Sequence, residues 1–535
     1  MKLRGYQQKA INYLWDYYSD NDGNPVIAMP TGTGKSLIIS EILKTLDENK
    51  KRAVVLTHVK ELIVQNYNCY IRYHKHCREP GIYSAGIGCK KISPITFAGI
   101  GSVYKLAKNF GTVACVIIDE CHLVSPKAET MYGTFLNELR EINPSVKVIG
   151  LSATPFRTKE GYLHNGPIFT DLAIDLTTTY WFKQLIQDNY LAQLTTKQTD
   201  TEYDVSKVLV RGGEFVPKDL QATVDKKTLT EQIIKEVIIQ GDIRKHWLVF
   251  ASGIEHANNI CTCLKDNGIA CASLDSKMTS QDRDHIIRQY KKGKLKALVN
   301  VNILTTGFDF PGIDLIVVLR PTLSPVLWVQ MLGRGTRPAK DKTDCLVLDF
   351  AGNIKRLGPI DDVYLPFLKK KKGNLTTHKA PVKVCPKCKV YCHARVTRCP
   401  NCEFIFPKDN KLHTKASNLS VMGGNYFEAE VTRKLFRVDR VLYKKHVTKK
   451  GKNTLLVLYK CGKRFIKSYV FFEHKGFSRT MAKRWFAIHG GGVNNVPKTI
   501  DEVLVYIARK QLKTPKYITV KTGKRYKEIV DWRFE

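Results

Sequence analysis

The segment MPTGTGKS, from Met29 to Ser36, has the residue types that bind phosphate groups, between an apolar stretch and a sequence of helical periodicity. Gly32 and Gly34 allow a tight turn that points successive backbone N–H groups at phosphate oxygens, and the N-terminus of the following helix adds positive potential. Lys35 is expected to contact the β- and γ-phosphates, and Ser36 to ligate Mg²⁺. Met29 replaces the first glycine of the general motif, so a strict pattern search would miss this loop. The predicted phosphate-binding residues are Pro30, Thr31, Gly32, Thr33, Gly34, Lys35 and Ser36.

A pair of carboxylates follows a second apolar stretch, in VIIDECH. Asp119 is expected to hold Mg²⁺ through water, and Glu120 to polarise the attacking water. An isolated DE pair is usually a solvated turn, but this pair follows a strand-like run and lies about 85 positions after Lys35. The two segments together predict a nucleoside triphosphate site. His122 is expected to link that site to the segment GLSATPFR, the alternative being a histidine that is merely packed.

Two CxxC pairs, Cys385 with Cys388 and Cys399 with Cys402, are separated by ten residues. This spacing is typical of a zinc ribbon, in which a tetrahedral Zn²⁺ supplies folding energy that a small segment cannot gain by burial. Four thiolates leave no open coordination position, so we expect a structural zinc. A pair of redox-active dithiols is the alternative.

The last 115 residues are strongly basic, with 27 Lys and Arg against 9 Asp and Glu. Aromatic residues are interleaved with these cations, as in proteins that stack bases and track phosphates along a single strand. A small β-rich domain also needs aromatic residues for its core, so each of them has that alternative. The aromatic residues in question are Tyr459, Phe465, Tyr469, Phe471, Phe472, Trp485 and Phe486.

Two long segments, residues 1–194 and 230–365, alternate short apolar strands with amphipathic helices, the pattern of α/β domains with parallel sheets. Residues 195–229 between them are polar and irregular, which suits a hinge or an insertion. The predicted strands are Pro25–Met29, Ala53–Thr57, Val113–Asp119 and Lys147–Leu151 in the first segment, and Trp247–Ala251, Ala297–Asn300, Leu315–Leu319 and Cys345–Asp349 in the second.

After these segments the composition changes. We expect a basic linker (366–384), the zinc ribbon (385–407), a second linker (408–424) and a small basic α+β domain (425–535). Strands are predicted at Thr454–Lys460 and Phe465–Phe472. A capping box of Thr499 and Glu502 predicts a helix that begins there.

The net charge of +37, from 86 Lys and Arg against 49 Asp and Glu, makes nucleic acid the first candidate partner. A cation-rich proteome or a solubility effect is the alternative. No stretch approaches the roughly 18 apolar residues that span a bilayer, and MKLRGYQQKA lacks the apolar core of a signal peptide. Of the fifteen cysteines, eleven are scattered, which fits reduced thiols in a cytoplasmic compartment without a membrane partner.

The phosphate-binding segment, the carboxylate pair and six further blocks, in this order, resemble the motifs of superfamily-2 helicases, which implies two RecA-like domains, ATP and Mg²⁺ as cofactors, and nucleic-acid-dependent ATPase activity. LRGYQ is similar to the Q-type motif, VVLTHVKELIVQN to motif Ia, and LSATP to motif III. WLVFASGIEHA resembles motif IV, ALVNVNILTTGFDFP motif V and VQMLGRGTRP motif VI. DECH in place of DEAD indicates the DExH type.

The resemblance implies a role for each matching residue. Arg4 and Gln7 would face adenine, and Ser152 and Thr154 would couple the nucleotide site to nucleic acid. Gly307 and Asp309 would lie at the same cleft, with Asp309 bonded to the ribose. In motif VI, Gln330 would sense nucleotide or water, while Arg334 and Arg337 would reach from the second lobe to the charge that develops on the γ-phosphate. The catalytic set is therefore Lys35, Asp119, Glu120, Gln330, Arg334 and Arg337.

Within the superfamily, residues 1–406 resemble RadD-type bacterial DNA repair helicases, which also carry a zinc-binding segment after the motor. Compact, lysine-rich relatives resemble bacteriophage helicases, so a bacterial or phage setting is implied. This resemblance implies a DNA helicase or translocase in repair, recombination or replication, acting on single-stranded or branched DNA, with single-strand-binding or recombination proteins as partners. The alternatives are an RNA helicase and an ATP-switched scaffold that does not separate strands.

Overall fold

The structure is a computed structural model that divides into two compact units, residues 1–14 with 23–425 and residues 15–22 with 426–535. In the part of the chain that it describes, no helix is long and apolar enough to cross a membrane. The described residues are 3–74, 77–125, 127–158, 160–301, 303–304, 308–363, 365, 382–387, 391–393, 396–399, 402–406, 432–448, 453–462, 464–474, 477–490, 496–509, 511–522 and 528–534.

The first lobe is built on a sheet with the strand order β10-β1-β7-β6-β2-β5-β3-β4. Its central strands are parallel and buried on both faces, which is why they read as unbroken apolar runs in the sequence. The strands are β1 (Pro25–Ala28), β2 (Ala53–Thr57), β3 (Gly81–Ser84), β4 (Cys89–Lys90), β5 (Ile95–Gly99), β6 (Cys115–Asp119), β7 (Lys147–Ser152), β8 (Phe156–Arg157), β9 (Gly161–Tyr162) and β10 (Asp171–Asp175). The helices are α1 (Gly5–Asp20), α2 (Lys35–Glu48), α3 (Lys60–Tyr73), α4 (Ile100–Val103), α5 (Met131–Ile142) and α6 (Thr179–Gln187).

The second lobe has a parallel sheet with the order β11-β18-β17-β14-β16-β15. Its strands are β11 (Gln193–Thr196), β12 (Val210–Arg211), β13 (Glu214–Phe215), β14 (Trp247–Phe250), β15 (Cys271–Leu274), β16 (Ala297–Asn300), β17 (Leu315–Val318) and β18 (Asp344–Asp349). Its helices are α7 (Pro217–Val224), α8 (Lys227–Gln240), α9 (Ile254–Asp266), α10 (Ser280–Lys291), α11 (Pro325–Leu332) and α12 (Asn353–Leu357). The hairpin β12–β13 stands apart from the sheet.

The eight strands predicted for the two lobes all exist, with ends that differ by two residues at most. The expected boundary at Leu194 falls inside β11, which pairs in parallel with β18 of the second sheet. The segment 195–229 was expected to be irregular, but it also contains the hairpin and α7, a helix that begins at a proline and buries Leu220 and Val224. The polarity of this segment hid these short elements.

The cysteine region contains a short hairpin, β19 (Val382–Val384) with β20 (Tyr391–His393). The second unit has two three-stranded sheets, β21-β25-β26 and β22-β23-β24, together with two helices. Their bounds are β21 (Thr432–Arg437), β22 (Arg440–Val447), β23 (Asn453–Cys461), β24 (Arg464–Val470), β25 (Tyr517–Thr522), β26 (Glu528–Arg533), α13 (Phe477–Ile488) and α14 (Ile500–Ala508).

The core of the second unit accounts for four of the seven aromatic residues that were candidates for base stacking: Tyr459, Phe472, Trp485 and Phe486 are buried in one apolar cluster. Phe465 and Tyr469 are exposed instead. The predicted cap of α14 is present, because the Thr499 side chain accepts a hydrogen bond from the backbone N–H of Glu502.

Candidate nucleotide site between the two lobes

The phosphate-binding segment lies where β1 ends and α2 begins. Gly32 and Gly34 have φ angles of 82° and 83°, a left-handed backbone that favours glycine. The Thr33 side chain donates to the carbonyl of Pro30 at 2.6 Å, which closes the turn. The N-terminus of α2 begins directly after Gly34, at Lys35, so the turn and the helix present their N–H groups to the same space.

Lys35 and Glu120 form an ion pair, with Nζ and Oε1 2.7 Å apart and both side chains largely buried. Glu120 has a φ angle of 51°, an uncommon conformation for a residue other than glycine. Burial raises the pKa of Asp119, the charge of Glu120 adds to the effect, and Lys35 opposes it. Burial also disfavours the charged form of Glu120, but Lys35 and His122 outweigh it and hold its pKa below the usual value.

Two amides of α3 contact the predicted magnesium ligands, and sequence reasoning did not single them out. Gln65 donates from Nε2 to the Ser36 hydroxyl at 3.1 Å, and Asn66 donates from Nδ2 to Asp119 Oδ2 at 2.9 Å. The Asn66 Oδ1 atom is buried and accepts no hydrogen bond from the described residues. Their only signal was their place in the block that resembles motif Ia.

His122 connects the two lobes. Its Nε2 lies 3.2 Å from Gln330 Nε2, and its Nδ1 lies 2.9 Å from the Ser152 hydroxyl. An amide nitrogen only donates, so His122 accepts at Nε2 and carries its proton at Nδ1. Ser152 in turn donates to the carbonyl of Thr154 at 3.0 Å. The chain of contacts that was expected at His122 therefore runs from the second lobe through motif II to the LSATP segment.

This relay predicts a strong interaction between two substitutions. His122→Ala and Gln330→Ala are each expected to lower nucleic-acid stimulation of ATP hydrolysis by about 5- to 150-fold, since losing a buried hydrogen bond costs about 1–3 kcal/mol. The stimulated ATPase rate of the double variant should equal that of the more impaired single variant, because both substitutions remove the same contact. Steady-state ATPase rates with and without nucleic acid measure this. Fully additive losses would contradict the relay, and His285→Ala, an exposed histidine of α10, is the matched control.

Both motif VI arginines are turned toward the loop of motif V. Arg334 and Arg337 donate to the carbonyl of Phe308 at 2.5 and 2.8 Å, and Arg337 also pairs with Asp309 at 2.9 Å. Burial lowers the pKa of Arg334 to about 9, with a further contribution from the charge of Arg337. Asp309, expected to bond the ribose, holds an arginine here. Gly307 lies outside the described residues.

Close packing brings motif VI against the phosphate loop. A Cβ atom on Gly32 would lie 3.0 Å from Cγ of Arg337, and one on Gly333 would lie 1.9 Å from the Thr31 hydroxyl. The Thr336 hydroxyl donates to the carbonyl of Thr31 at 3.3 Å. Glycine is therefore required at position 333 for this approach of the lobes. The lysine-bearing turn and the arginine pair, predicted to meet around one triphosphate, lie side by side.

Residues at the start of α1 hydrogen-bond to the phosphate loop. Gln7 and Tyr6 both donate to the carbonyl of Thr33, at 2.9 and 2.8 Å, and Gln7 accepts from the backbone N–H of Arg4 at 3.0 Å. The Arg4 guanidinium lies 4.6 Å from the ring centre of Tyr190, a cation–π contact. Tyr6 and Tyr190 were not predicted; no local pattern marks Tyr190, which lies just before β11.

Three predicted zinc ligands are brought together. The thiols of Cys385, Cys399 and Cys402 lie within 4.8 Å of one another, and the first two residues are buried. The sulfur atoms of Cys385 and Cys402 are 3.5 Å apart. Cys388, the fourth predicted ligand, lies outside the described residues. Convergent thiols are the donor set that tetrahedral Zn²⁺ prefers.

Comparison with known proteins gives two family matches. Residues 1–157 match the family described as type III restriction enzyme, res subunit, and residues 228–339 match the helicase conserved C-terminal domain. A protein of the fission yeast Schizosaccharomyces pombe, described as the mitochondrial ATP-dependent helicase irc3, is 29% identical over 67% of this chain and 58% of its own length. This chain thus spans little more than half of that relative.

A 51.5 kDa protein of a Lactococcus phage is 26% identical over 72% of this chain and 79% of its own length. Among solved structures, a fragment of a type I restriction enzyme HsdR subunit from Vibrio vulnificus aligns with a TM-score of 0.49 and 20% identity, over 68% of this chain and 67% of that one.

The two family matches fall on the two parallel-sheet lobes, and the match on the second lobe is a helicase domain. The chain is therefore similar to ATP-dependent helicases, and its DECH sequence fits the DExH pattern.

Proposed function

We propose that this protein is an ATP-driven DNA helicase or translocase, acting in repair, recombination or replication. The contact that supports it most directly is the stem of Arg337 against Gly32, because it joins the arginines of one lobe to the phosphate loop of the other. The RadD-type resemblance, which stays a prediction, favours DNA and favours partners such as single-strand-binding or recombination proteins.

The mechanism follows from two ion pairs. Lys35 is held by Glu120, and Arg337 by Asp309. The triphosphate competes for both cations, so Lys35 moves to the phosphates and leaves Glu120 to orient water, while Arg337 turns to the γ-phosphate as its charge develops. ATP thereby holds the lobes together and hydrolysis releases them, which moves two nucleic-acid grips relative to each other.

Magnesium fits the first half of this site. Ser36 and Asp119 supply the hard oxygen ligands that Mg²⁺ prefers. Burial and the neighbouring charge of Glu120 raise the pKa of Asp119, and a bound cation would favour its charged form. Asn66 Oδ1 is a buried acceptor in need of a donor such as a bound water. Ser36 and Asp119 would hold the ion, which would neutralise phosphate charge.

ATPase stimulation across a panel of nucleic acids tests this function. Rates measured with single-stranded DNA, duplex DNA, forked DNA and RNA should be highest with single-stranded or forked DNA. Preferential stimulation by RNA would favour the RNA helicase alternative. DNA-stimulated hydrolysis without strand separation or displacement of a bound protein roadblock would favour an ATP-switched scaffold.

The zinc ribbon yields a separate prediction. Purified protein should contain about one zinc per chain. Cys385→Ser should lose most of it and destabilise the ribbon, because the metal supplies the folding energy. Elemental analysis after mild purification measures the metal. Cys461→Ser, a buried cysteine in the second unit, is the control and should retain zinc; a wild-type protein without zinc would disprove the ribbon.

A further inference from the structure

The sheet β22-β23-β24 of the second unit has one covered face and one open face. On the covered face, Leu455, Val457 and Tyr459 of β23 are buried in a cluster with Trp485 of α13 and Val503 of α14. The alternate residues of the same strands point the other way, because successive side chains in a strand leave the sheet on opposite sides. We call this second side the open face.

The open face combines cations with flat rings. Phe465 and Tyr469 of β24 are 52% and 43% exposed, and the exposed Lys467 lies between them. In the strand register, Lys460 lies directly opposite Phe465, and Leu456 opposite Tyr469. Outward positions along one strand recur about every 6.8 Å, so ring, cation and ring alternate along β24.

The basic residues of the open face lack a counter-ion among the residues that the structure describes. Arg440, Lys444, Lys460 and Lys467 form no ion pair with any residue in the described ranges. The carboxylate of Asp439, next to Arg440, accepts a hydrogen bond from the backbone N–H of Gly462 at the end of the sheet. With no carboxylate partner in the described part of the chain, these four exposed cations are complementary to a polyanion.

The covered side of the same sheet shows the contrast. Lys445, adjacent to Lys444 but on the opposite side, pairs with Asp501 of α14 at 2.7 Å. A lysine that serves the fold is therefore neutralised, whereas the lysine that faces outward is not. Exposed rings among unpaired cations also make a poor surface for an apolar protein partner, which would have to desolvate those charges.

We infer that the open face is a binding site for single-stranded DNA, with bases stacked on Phe465 and Tyr469 and phosphates held by Arg440, Lys444, Lys460 and Lys467. Stacking needs unpaired bases, since the π-face of a base is hidden inside a duplex, and it tolerates any sequence. This site rests on the proposed action on DNA and adds a grip outside the two lobes. It holds the strand whether or not ATP is hydrolysed.

The test is binding of a fluorescent single-stranded oligonucleotide to the full-length chain without nucleotide, followed by anisotropy. Phe465→Ala and Tyr469→Ala should each raise the Kd by about 5- to 150-fold, the range for losing one stacked base. Lys444→Ala and Lys467→Ala should each reduce the slope of log Kd against log salt by about 0.7, the value for one single-strand phosphate contact.

An abasic strand of the same length separates stacking from charge. On that strand Phe465→Ala should bind like the wild type, whereas Lys444→Ala should still bind more weakly. The matched control for the lysines is Lys445→Ala, on the covered side of the sheet. The matched control for the rings is Met481→Ala, an apolar residue of α13 that is 44% exposed. Both should keep the wild-type Kd, and all variants should keep the ATPase rate measured without nucleic acid.

A Kd that changes less than twofold in Phe465→Ala and Tyr469→Ala overturns this site, as does an equal loss in both controls. Phe465→Leu, which keeps an apolar side chain without the ring, guards against a local folding defect and should behave like Phe465→Ala. An equal preference for single-stranded RNA would keep the stacking face but not its assignment to DNA. Because binding is measured without ATP, an inactive ATPase would refute the motor function and leave this result standing.

Discussion

Arg337→Ala is expected to lower nucleic-acid-stimulated ATP hydrolysis by about 10³- to 10⁵-fold, the range for removing an arginine that stabilises transferring phosphoryl charge. The Arg337 stem already lies beside Gly32 of the phosphate loop, so only the guanidinium must turn from Asp309 and the carbonyl of Phe308 to the nucleotide. Steady-state ATPase rates at saturating nucleic acid measure the loss. Arg337→Lys should recover little, because an ammonium lacks the planar fork of donors.

Lys340→Ala is the matched control, since this exposed cation lies three residues further along the chain. It should hydrolyse ATP at the wild-type rate. Nucleotide affinity should change far less than turnover in Arg337→Ala, because the charge that Arg337 stabilises is largest in the transition state. Wild-type turnover of Arg337→Ala would exclude this residue from the mechanism.

Glu120→Gln should lower turnover by about 10²- to 10⁴-fold, the contribution of a positioned general base, while ATP still binds. The amide keeps the shape of the carboxylate but cannot accept a proton from water. Lys35→Ala should differ from it, losing both hydrolysis and ATP affinity, because Lys35 would contact the phosphates in the ground state. Titration with a fluorescent ATP analogue, alongside ATPase rates, distinguishes the two defects.

Glu129→Gln is the matched control, because Glu129 is an exposed carboxylate near the end of the same loop. It should keep the wild-type ATPase rate and the wild-type ATP affinity. Glu120→Gln also removes one charge that holds Lys35, so its ATP affinity should equal or exceed that of the wild type. Hydrolysis at the wild-type rate in purified Glu120→Gln would show that another group orients the water.

The phosphate loop and the carboxylate pair could be predicted because each is a short run of consecutive residues at the end of an apolar strand. The residue types within that run indicate the local geometry. Gly32 and Gly34 supply the positive φ angles of the turn from the local sequence, and Tyr6 and Gln7 of α1 add support. The buried parallel strands were equally visible, since such strands read as apolar runs wherever they occur.

The contacts that complete the site depend on tertiary packing, which one sequence does not reveal. Asn66 reaches Asp119 across 53 positions, and Gln330 reaches His122 across 208. Tyr190 meets Arg4 only because the chain returns past α1 before it enters the second sheet. The roles assigned to these residues, like the domain boundaries, stay predictions that the experiments above address.

Composition was least informative in the basic second unit. Phe465 and Phe472 lie in the same apolar and basic surroundings in the sequence, yet one is exposed and the other is buried. The alternation of β24 separates the exposed Phe465 from the buried Ile466, but Phe472 lies beyond the strand and reaches the core through its loop. Only the paired sheet and its helices decide which ring remains available.

The two ion pairs of the nucleotide cleft bear on how much ATP is consumed when no nucleic acid is bound. Because Glu120 and Asp309 already neutralise Lys35 and Arg337, an arriving triphosphate must displace two internal anions before it gains its own contacts. These displacements would lower the net affinity for ATP, and they would suppress ATP hydrolysis in the absence of nucleic acid. A bound polynucleotide that favours the closed lobes would ease displacement of the two carboxylates, so that ATP would be hydrolysed chiefly when nucleic acid is bound.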